Sequence, residues 1–369
     1  MEASQPPFAC SHTPEFPELL AQLRCSLLVS TYQAGKVIVI SSDGQKLVQL
    51  PRTFDTPMGM AVSGAQLAVA AKHEIIFLVN EPRLAGSYPK KPNYYDALFV
   101  PRSVHFSGPL NVHDMAFGKD GLVAVNTLFS CLFRLDAAHS FAPVWKPSFI
   151  SELASEDRCH LNGMAMLDGV PKYVTALGHT DQFQGWRADK LKAGILMDVQ
   201  TGEVVLRGLA MPHSPRLING ELYLLLSASG EIVKADVTQG TYEVVTRIFG
   251  FLRGMAQYGD YLFVGSSHLR KTHTFGDLAL ARDGGTICGI TVVHLPTGAI
   301  VGQLRYLNTC EEIYDVLVLP GLHRPGILGV SDPIFRRALS TPEATYWGEE
   351  QPRTQSDSAS IEPKGQRAS

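Results

Sequence analysis

No apolar run in this chain reaches the roughly 18 residues that a membrane-spanning helix requires, so no membrane partner is expected. No cluster of Lys or Arg rises above the background either. The 32 basic and 35 acidic residues give a formal net charge of -3, which argues against a nucleic-acid partner. The N-terminus, MEASQPPFACSHTPEFPELLAQ, shows no basic stretch followed by an apolar one, the pattern of an export signal. None of the six cysteines (Cys10, Cys25, Cys131, Cys159, Cys288 and Cys310) stands in a CxxC pair, which removes zinc knuckles and thioredoxin-type motifs. Without an export signal, they are expected as reduced thiols in a cytoplasmic protein. Long helical periodicity is nearly missing too. One segment, PEFPELLAQLRCSLL, predicts a short helix with Pro17 in its first turn. The chain end, EEQPRTQSDSASIEPKGQRAS, has few large apolar side chains to offset its ordering entropy, so residues 336–369 are expected to form a disordered tail.

What is present is a repeat. Short runs rich in Val, Ile, Leu, Phe and Tyr alternate with Gly, Asp, Asn and Ser turns. One pattern, often Gly-Met-Ala followed by a Gly turn and an apolar strand, occurs six times: PMGMAVSGAQLAVAA, VHDMAFGKDGLVAVN, LNGMAMLDGVPKYVTA, PHSPRLINGELYLLLS, LRGMAQYGDYLFVGS and IYDVLVLPGLHRPGILGVS. Asp-Gly and Thr-Gly hairpins such as IVISSDGQKLVQL and VVHLPTGAIVGQL fall between copies. The equivalent positions Gly59, Asp114, Gly163, Ser214, Gly254 and Asp315 are 55, 49, 51, 40 and 61 residues apart. A period near 50 with four strands per unit predicts an all-β fold, a six-bladed β-propeller. The chain starts with middle and outer strands and ends with an inner strand, so its two ends together complete one blade. The extra strand GILGVS duplicates the type that LLVST supplies, which keeps a seven-bladed ring open. The expected organisation is an N-terminal segment, 1–25, with the short helix; a propeller, 26–335; and the tail, 336–369.

The first strand of each propeller blade lines the central channel. At its start the six copies place Met58, His113, Asn162, His213, Arg253 and Tyr314 in equivalent positions. Five are polar and no blade repeats its neighbour, whereas Met-Ala recurs just after them. That contrast points to a ligand-facing ring. A second layer at the same channel end adds His160 and Glu312.

Four readings of the ring follow. His113, His160, His213 and Glu312 could hold a divalent metal (Zn, Fe, Mn or Ca), since neutral imidazoles and a carboxylate suit such ions; with no metal, the histidines are hydrogen-bonded channel residues. His113 and Asp114 with Arg253 and Tyr314 could move protons, Arg253 gripping a substrate carboxylate; otherwise Asp114 serves only its own turn. Cys159 next to His160 is a poor nucleophile–base pair, because adjacent strand residues face opposite ways. Finally, the ring could bind without chemistry. Two insertions could complete the pocket: GHTDQFQGWRADK in the fourth blade, with His179, Asp181, Trp186 and Arg187, and SSHLRKTHTFGDL in the sixth, with His268, Arg270, Lys271 and His273. Asn162, His179, Trp186, Arg187 and Arg270 are the expected substrate contacts, and the cationic residues favour an anionic small molecule.

The strings LLVSTYQAGK, NVHDMAFG, VNTLFSCL, FISELASEDRCHLNGMAM, YVTALGHTD, GLAMPHSPR and EEIYDVLVLPG resemble a bacterial family of conserved hypothetical proteins, over roughly residues 8–335. The resemblance implies a propeller-like all-β fold and brings no established activity. There is a more distant likeness to six-bladed propeller enzymes. His113, His213, Arg253 and Tyr314 partly echo the zinc lyases that release amidated peptides. Glu312, Asn162 and Asp114 offer the residue types of gluconolactonase-like hydrolases, without their flanking sequences. The expected function is small-molecule binding at the channel mouth, extending to a metal-dependent lyase or hydrolase of a small polar or anionic substrate. The alternative is a non-catalytic interaction scaffold, whose protein partner the sequence does not name.

Overall fold

Each copy of the repeat becomes the innermost strand of an antiparallel sheet. The computed structural model describes residues 5–269, 280 and 286–349. In it the inner strands are Met60–Ser63, Val112–Gly118, Leu161–Leu167, Pro212–Ile218 and Phe251–Tyr258 for blades 2 to 6, and Asp315–Pro320 for blade 1. Neighbouring inner strands touch around the whole ring. Blade 1 joins the two ends of the chain: Asp315–Pro320 pairs with Cys25–Thr31, Leu317 opposite Leu28, and Lys36–Ser42 and Leu47–Thr53 follow outward.

Second and third strands read as continuous apolar runs because both of their faces are covered by the adjacent blades. Cys25–Thr31 is buried throughout, and so is Gly194–Asp198. The outermost strands face solvent, and Thr241–Arg247 is mostly exposed.

The seventh blade that GILGVS left open does not form. Pro325–Ile327 instead runs parallel along Ala97–Phe106, the outer strand of blade 2, as a fifth strand. LLVST already occupies the place beside the inner strand of blade 1, so the later segment has only an outer edge to pair with. Cys10–His12 covers the edge of blade 6 in the same way, Cys10 opposite Tyr306. Both additions shield sheet edges that would otherwise offer unpaired amides.

These pairings move the expected boundaries. The helix Glu15–Gln22 forms as predicted, and Phe16, Leu19 and Leu20 pack it into the core shared by blades 1 and 6. The segment 10–25 is therefore part of the propeller. Residues 336–349, expected in the tail, include the hairpin strands Ala338–Ser340 and Thr345–Trp347. Trp347 donates its indole N–H to the Leu84 carbonyl and Arg102 donates to the Ala338 carbonyl, so this hairpin is fastened to blade 2. The rest of the tail lies outside the described residues.

Around the axis the repeat alternates. Gly59, Gly163 and Gly254 occupy blades 2, 4 and 6; Asp114, Ser214 and Asp315 occupy blades 3, 5 and 1. A Cβ on Gly59 would stand 3.0 Å from the backbone of His113 and Asp114, and one on Gly254, at φ +74, 2.6 Å from Val316 N. Each glycine thus lets its strand press backbone to backbone on the next blade. Each polar residue then accepts an amide hydrogen from the blade that follows: Met164 N–H to Asp114, Gly254 N–H to Ser214, Met60 N–H to Asp315. Three glycine–polar pairs close the ring.

Candidate functional site

At the end of the channel where the inner strands start, a cavity of about 360 Å³ opens. Met58, His113, Arg253 and Tyr314 of the predicted ring line it, with Asn111 and His160, and with Trp186 and Arg187 from the blade 4 insertion. The backbone is left-handed at Thr56, Asn111, His160 and Met211, two residues before the ring position in four blades. This turn delivers each strand into the channel.

His113 and His213 are held by the same device. The His113 Nδ1–H is shared between the Asn111 carbonyl (2.9 Å) and Thr127 Oγ1 (2.7 Å), while the Thr127 hydroxyl donates to the Leu161 carbonyl of the next blade. The His213 Nδ1–H is shared between the Met211 carbonyl (3.0 Å) and Ser227 Oγ (2.8 Å), and Ser227 donates to Leu252. Carbonyls only accept, so the proton sits on Nδ1 and Nε2 is left as an acceptor. Burial first, then the nearby positive groups, holds both rings well below the usual histidine range. His160 and Arg253 act on His113, and Arg253 on His213. Both are neutral near pH 7. Ser30 and Ser267 repeat the hydroxyl link, donating to the Met58 and Ile313 carbonyls. These hydroxyls were missed in the sequence, although each stands within one residue of the end of a second strand.

His160 is oriented differently. Its Nδ1 lies 2.9 and 3.0 Å from the two oxygens of Asp157, which also accepts the Trp186 indole N–H at 3.0 Å. The His160 ring stands 4.9 Å from that of His113 and 4.4 Å from that of Trp186. Asp157 was not singled out in the sequence; its signal was its place three residues before His160. Arg253 lies over Tyr314 at 4.9 Å and Phe251 at 5.1 Å, and Tyr314 in turn is 5.2 Å from His113. Arg187 lies over Trp186 at 4.6 Å.

The insertion is anchored by Arg158, which bonds Glu156 and Asp181, each at 2.8 Å, and Glu152 at 3.2 Å. Gly178 packs where a Cβ would stand 2.9 Å from Trp186 Cα, so the loop turns Trp186 inward. His179, expected to contact substrate, is turned outward onto Phe149 at 4.1 Å and is not on the cavity wall. Asn162 and His213 are buried just behind the wall, each 3% exposed. Arg270, with Lys271 and His273, lies outside the described residues.

The expected His113–Asp114 dyad is not assembled. Asp114 turns away from the cavity: Arg216 grips both its oxygens (2.8 and 3.2 Å), and Met115 and Met164 donate their amides. Asp315 lies in the same cluster, where burial first and then the Asp114 charge, opposed by Arg216, push its carboxyl up to about 7. The four-residue metal set is not gathered on one wall either. His113 and His160 meet, whereas His213 lies behind them and Glu312 is buried near Cys288. Among the described residues no three His, Cys, Asp or Glu side chains converge as a metal group. Cys159 is buried, with its thiol pushed up to about 12 by burial.

A second hollow, of about 450 Å³, lies between blades 5 and 6 at the opposite end, lined by turns at Asn219, Gly259 and Thr297. Lys234 pairs there with Glu221 and Glu243.

Fold and cavity together define a six-bladed β-propeller with a pocket at one mouth of its channel. The chain belongs to the family described as Domain of unknown function (DUF4915), whose model matches residues 14–328. Among solved structures it is similar to a chain of a nidogen/laminin complex, at 10% identity and a TM-score of 0.51, over 80% of this chain and 99% of that one. At that identity the likeness shows the fold alone. No curated protein matches. Among the described residues no helix is long and apolar enough to cross a membrane. The propeller is compatible with a ligand pocket or an interaction scaffold.

Proposed function

We propose that the channel-mouth cavity binds a small anionic molecule. The observation that carries this is Arg253 in the cavity wall, its guanidinium set over Tyr314 and Phe251 next to two neutral imidazoles. A cation fixed on aromatic faces in a site shielded from water attracts a carboxylate or phosphate more strongly than it would at the surface. The cavity volume of about 360 Å³ suits a metabolite-sized ligand. The test is a panel of small carboxylates and phosphates, read by thermal midpoint and calorimetry on wild-type and Arg253→Met protein. Saturable binding by wild type, weakened at least tenfold in the variant, is expected. A panel in which no member binds wild type overturns the proposal.

A second reading is carried by Asp157. Its bond takes up Nδ1 of the cavity-lining His160 and leaves Nε2 as the second ring nitrogen, the arrangement of a general base and also of a metal-ligating imidazole. If His160 is such a base, turnover of a bound substrate falls with Asp157→Asn and its pH profile shifts, while substrate affinity holds. A divalent ion on His113 and His160 belongs to this reading. Metal analysis of wild type against His160→Ala tests it, and equal metal content in the two would remove it.

A further inference from the structure

Five ring side chains stand in a row on the wall of the channel-mouth cavity: Tyr32, Tyr314, His113, His160 and Trp186. Neighbouring centroids are 5.9, 5.2, 4.9 and 4.4 Å apart, so each ring meets the next. The planes turn along the row, at 35°, 65°, 84° and 43° to one another, so it is no parallel stack. Blade 1 supplies the two tyrosines, blade 3 His113, and blade 4 with its insertion His160 and Trp186. The polar edges of three of these rings are already engaged. Trp186 donates its indole N–H to Asp157, which also holds Nδ1 of His160, and Nδ1 of His113 is shared between the Asn111 carbonyl and Thr127. An indole has no second polar group, so Trp186 can offer a ligand only its π surface. Met58, Leu128, Leu177 and Met211 add apolar surface to the same cavity.

We infer that the anionic group of the ligand is carried on an aromatic ring, so that the cavity takes an aryl carboxylate or an aryl phosphate. This rests on the anion-binding reading of the cavity. Aromatic rings attract one another through complementary edges and faces, beyond the area they bury. A saturated ring of the same size gains only the burial. Walls built of rings also hold organic cations. Here Arg253 lies over Tyr314 and Arg187 over Trp186, and their charges repel a cation. A sugar acid would bring several hydroxyls to a wall whose indole N–H and Nδ1 positions are already engaged. A volume of about 360 Å³ accommodates one aryl ring with its acidic group.

The experiment compares anions of equal charge and like size that differ in aromaticity: benzoate with cyclohexanecarboxylate, and phenyl phosphate with cyclohexyl phosphate. Glucuronate is the sugar-acid arm. Calorimetry is run on the full chain as wild type, Trp186→Phe and Trp186→Leu. Both variants lose the N–H to Asp157 and only the second loses the ring, so the difference between them reads the ring. Wild type is expected to prefer the aryl member of at least one pair by about fivefold or more. The preference should hold in Trp186→Phe and fall to about half or less in Trp186→Leu. Equal affinity within both pairs in wild type overturns the aryl ligand and leaves anion binding standing. Glucuronate binding more tightly than both aryl anions does the same. A preference undiminished in folded Trp186→Leu overturns the ring wall as its cause. If neither member of either pair binds while other anions do, the ligand class is wrong. If no anion binds at all, the pocket reading falls with it. The wild-type comparison decides the matter even if both variants misfold.

Discussion

His113 and Asp114 are neighbours in sequence, as are Tyr314 and Asp315, yet they belong to two unlike regions. The mouth of the channel, formed by the first of each pair, presents ring nitrogens with one side bonded and the other open. The neck, formed by the second, is closed upon itself: Arg216 spans to Asp114, and two backbone amides each cap Asp114 and Asp315. A strand turns successive side chains to different surroundings, and here the two serve different ends. Open valences suit a ligand, whereas a saturated buried charge cluster holds blades 1, 3 and 5 in register. Polarity at the axis does not by itself mark a site; what matters is whether the polar atoms already have partners.

The largest effect separating the two regions should come from Arg216→Met. It leaves Asp114 buried at 2.8 Å from where its partner was, with Asp315 near it. Breaking a buried ion pair from one side costs about 3–5 kcal/mol, so the denaturant midpoint should fall sharply. His113→Gln, at the mouth, should barely move it. Equal effects of the two would erase the distinction between a structural neck and a functional mouth.

The next test uses pH, because the two regions respond with opposite sign. Asp315 is raised to about 7 from the ordinary carboxylate range. The native state then binds more protons than the unfolded chain between about pH 4 and 7, and stability is lost as pH rises through that window. His113 and His213 are depressed, so their contribution is present above about pH 6.5 and is lost as pH falls below it. Melts at pH 5 and pH 7 should show Asp315→Asn gaining on wild type toward pH 7 and His213→Phe gaining on wild type toward pH 5. Parallel shifts in the two variants would mean that the buried groups do not titrate as their surroundings demand.

The smallest effect concerns the hydroxyl links. Thr127→Val removes one neutral hydrogen bond to the Leu161 carbonyl, worth about 1 kcal/mol, and frees the His113 ring from one of its two tethers. A modest drop in midpoint should accompany a change in the His113 imidazole NMR shifts. A stability loss with those shifts unchanged would show that the hydroxyl serves only the blade junction.

The repeat in the sequence made the blades legible, and with them the ring position of every channel residue. It also placed His113, Arg253, Tyr314, Trp186 and Arg187 on what is now the cavity wall. It did not reveal Arg216, because a single Arg after PHSP looks like any strand residue until its partner, 102 positions earlier, is known. Nor did it place His179, since loop direction depends on which side chain the scaffold has room for, and Gly178 gave the inner place to Trp186. Asp157 was hidden for a similar reason: three residues from His160 means nothing until both are left-handed turns meeting at one rim.

Local chemistry decided the architecture of this protein. A hydrophobic period of two, hairpin turns and a unit of about 50 residues are properties of short stretches, and each stretch carries the pattern of the same blade. The character of the channel could not be decided that way. Its hydrogen bonds join residues 50, 102 and 255 positions apart: Met164 to Asp114, Arg216 to Asp114, Met60 to Asp315. They exist only once the first and last strands have closed the ring. Whether an axial acid is consumed by an arginine or an imidazole nitrogen is left for a ligand is therefore settled by which blades stand beside each other, a fact that no single repeat contains.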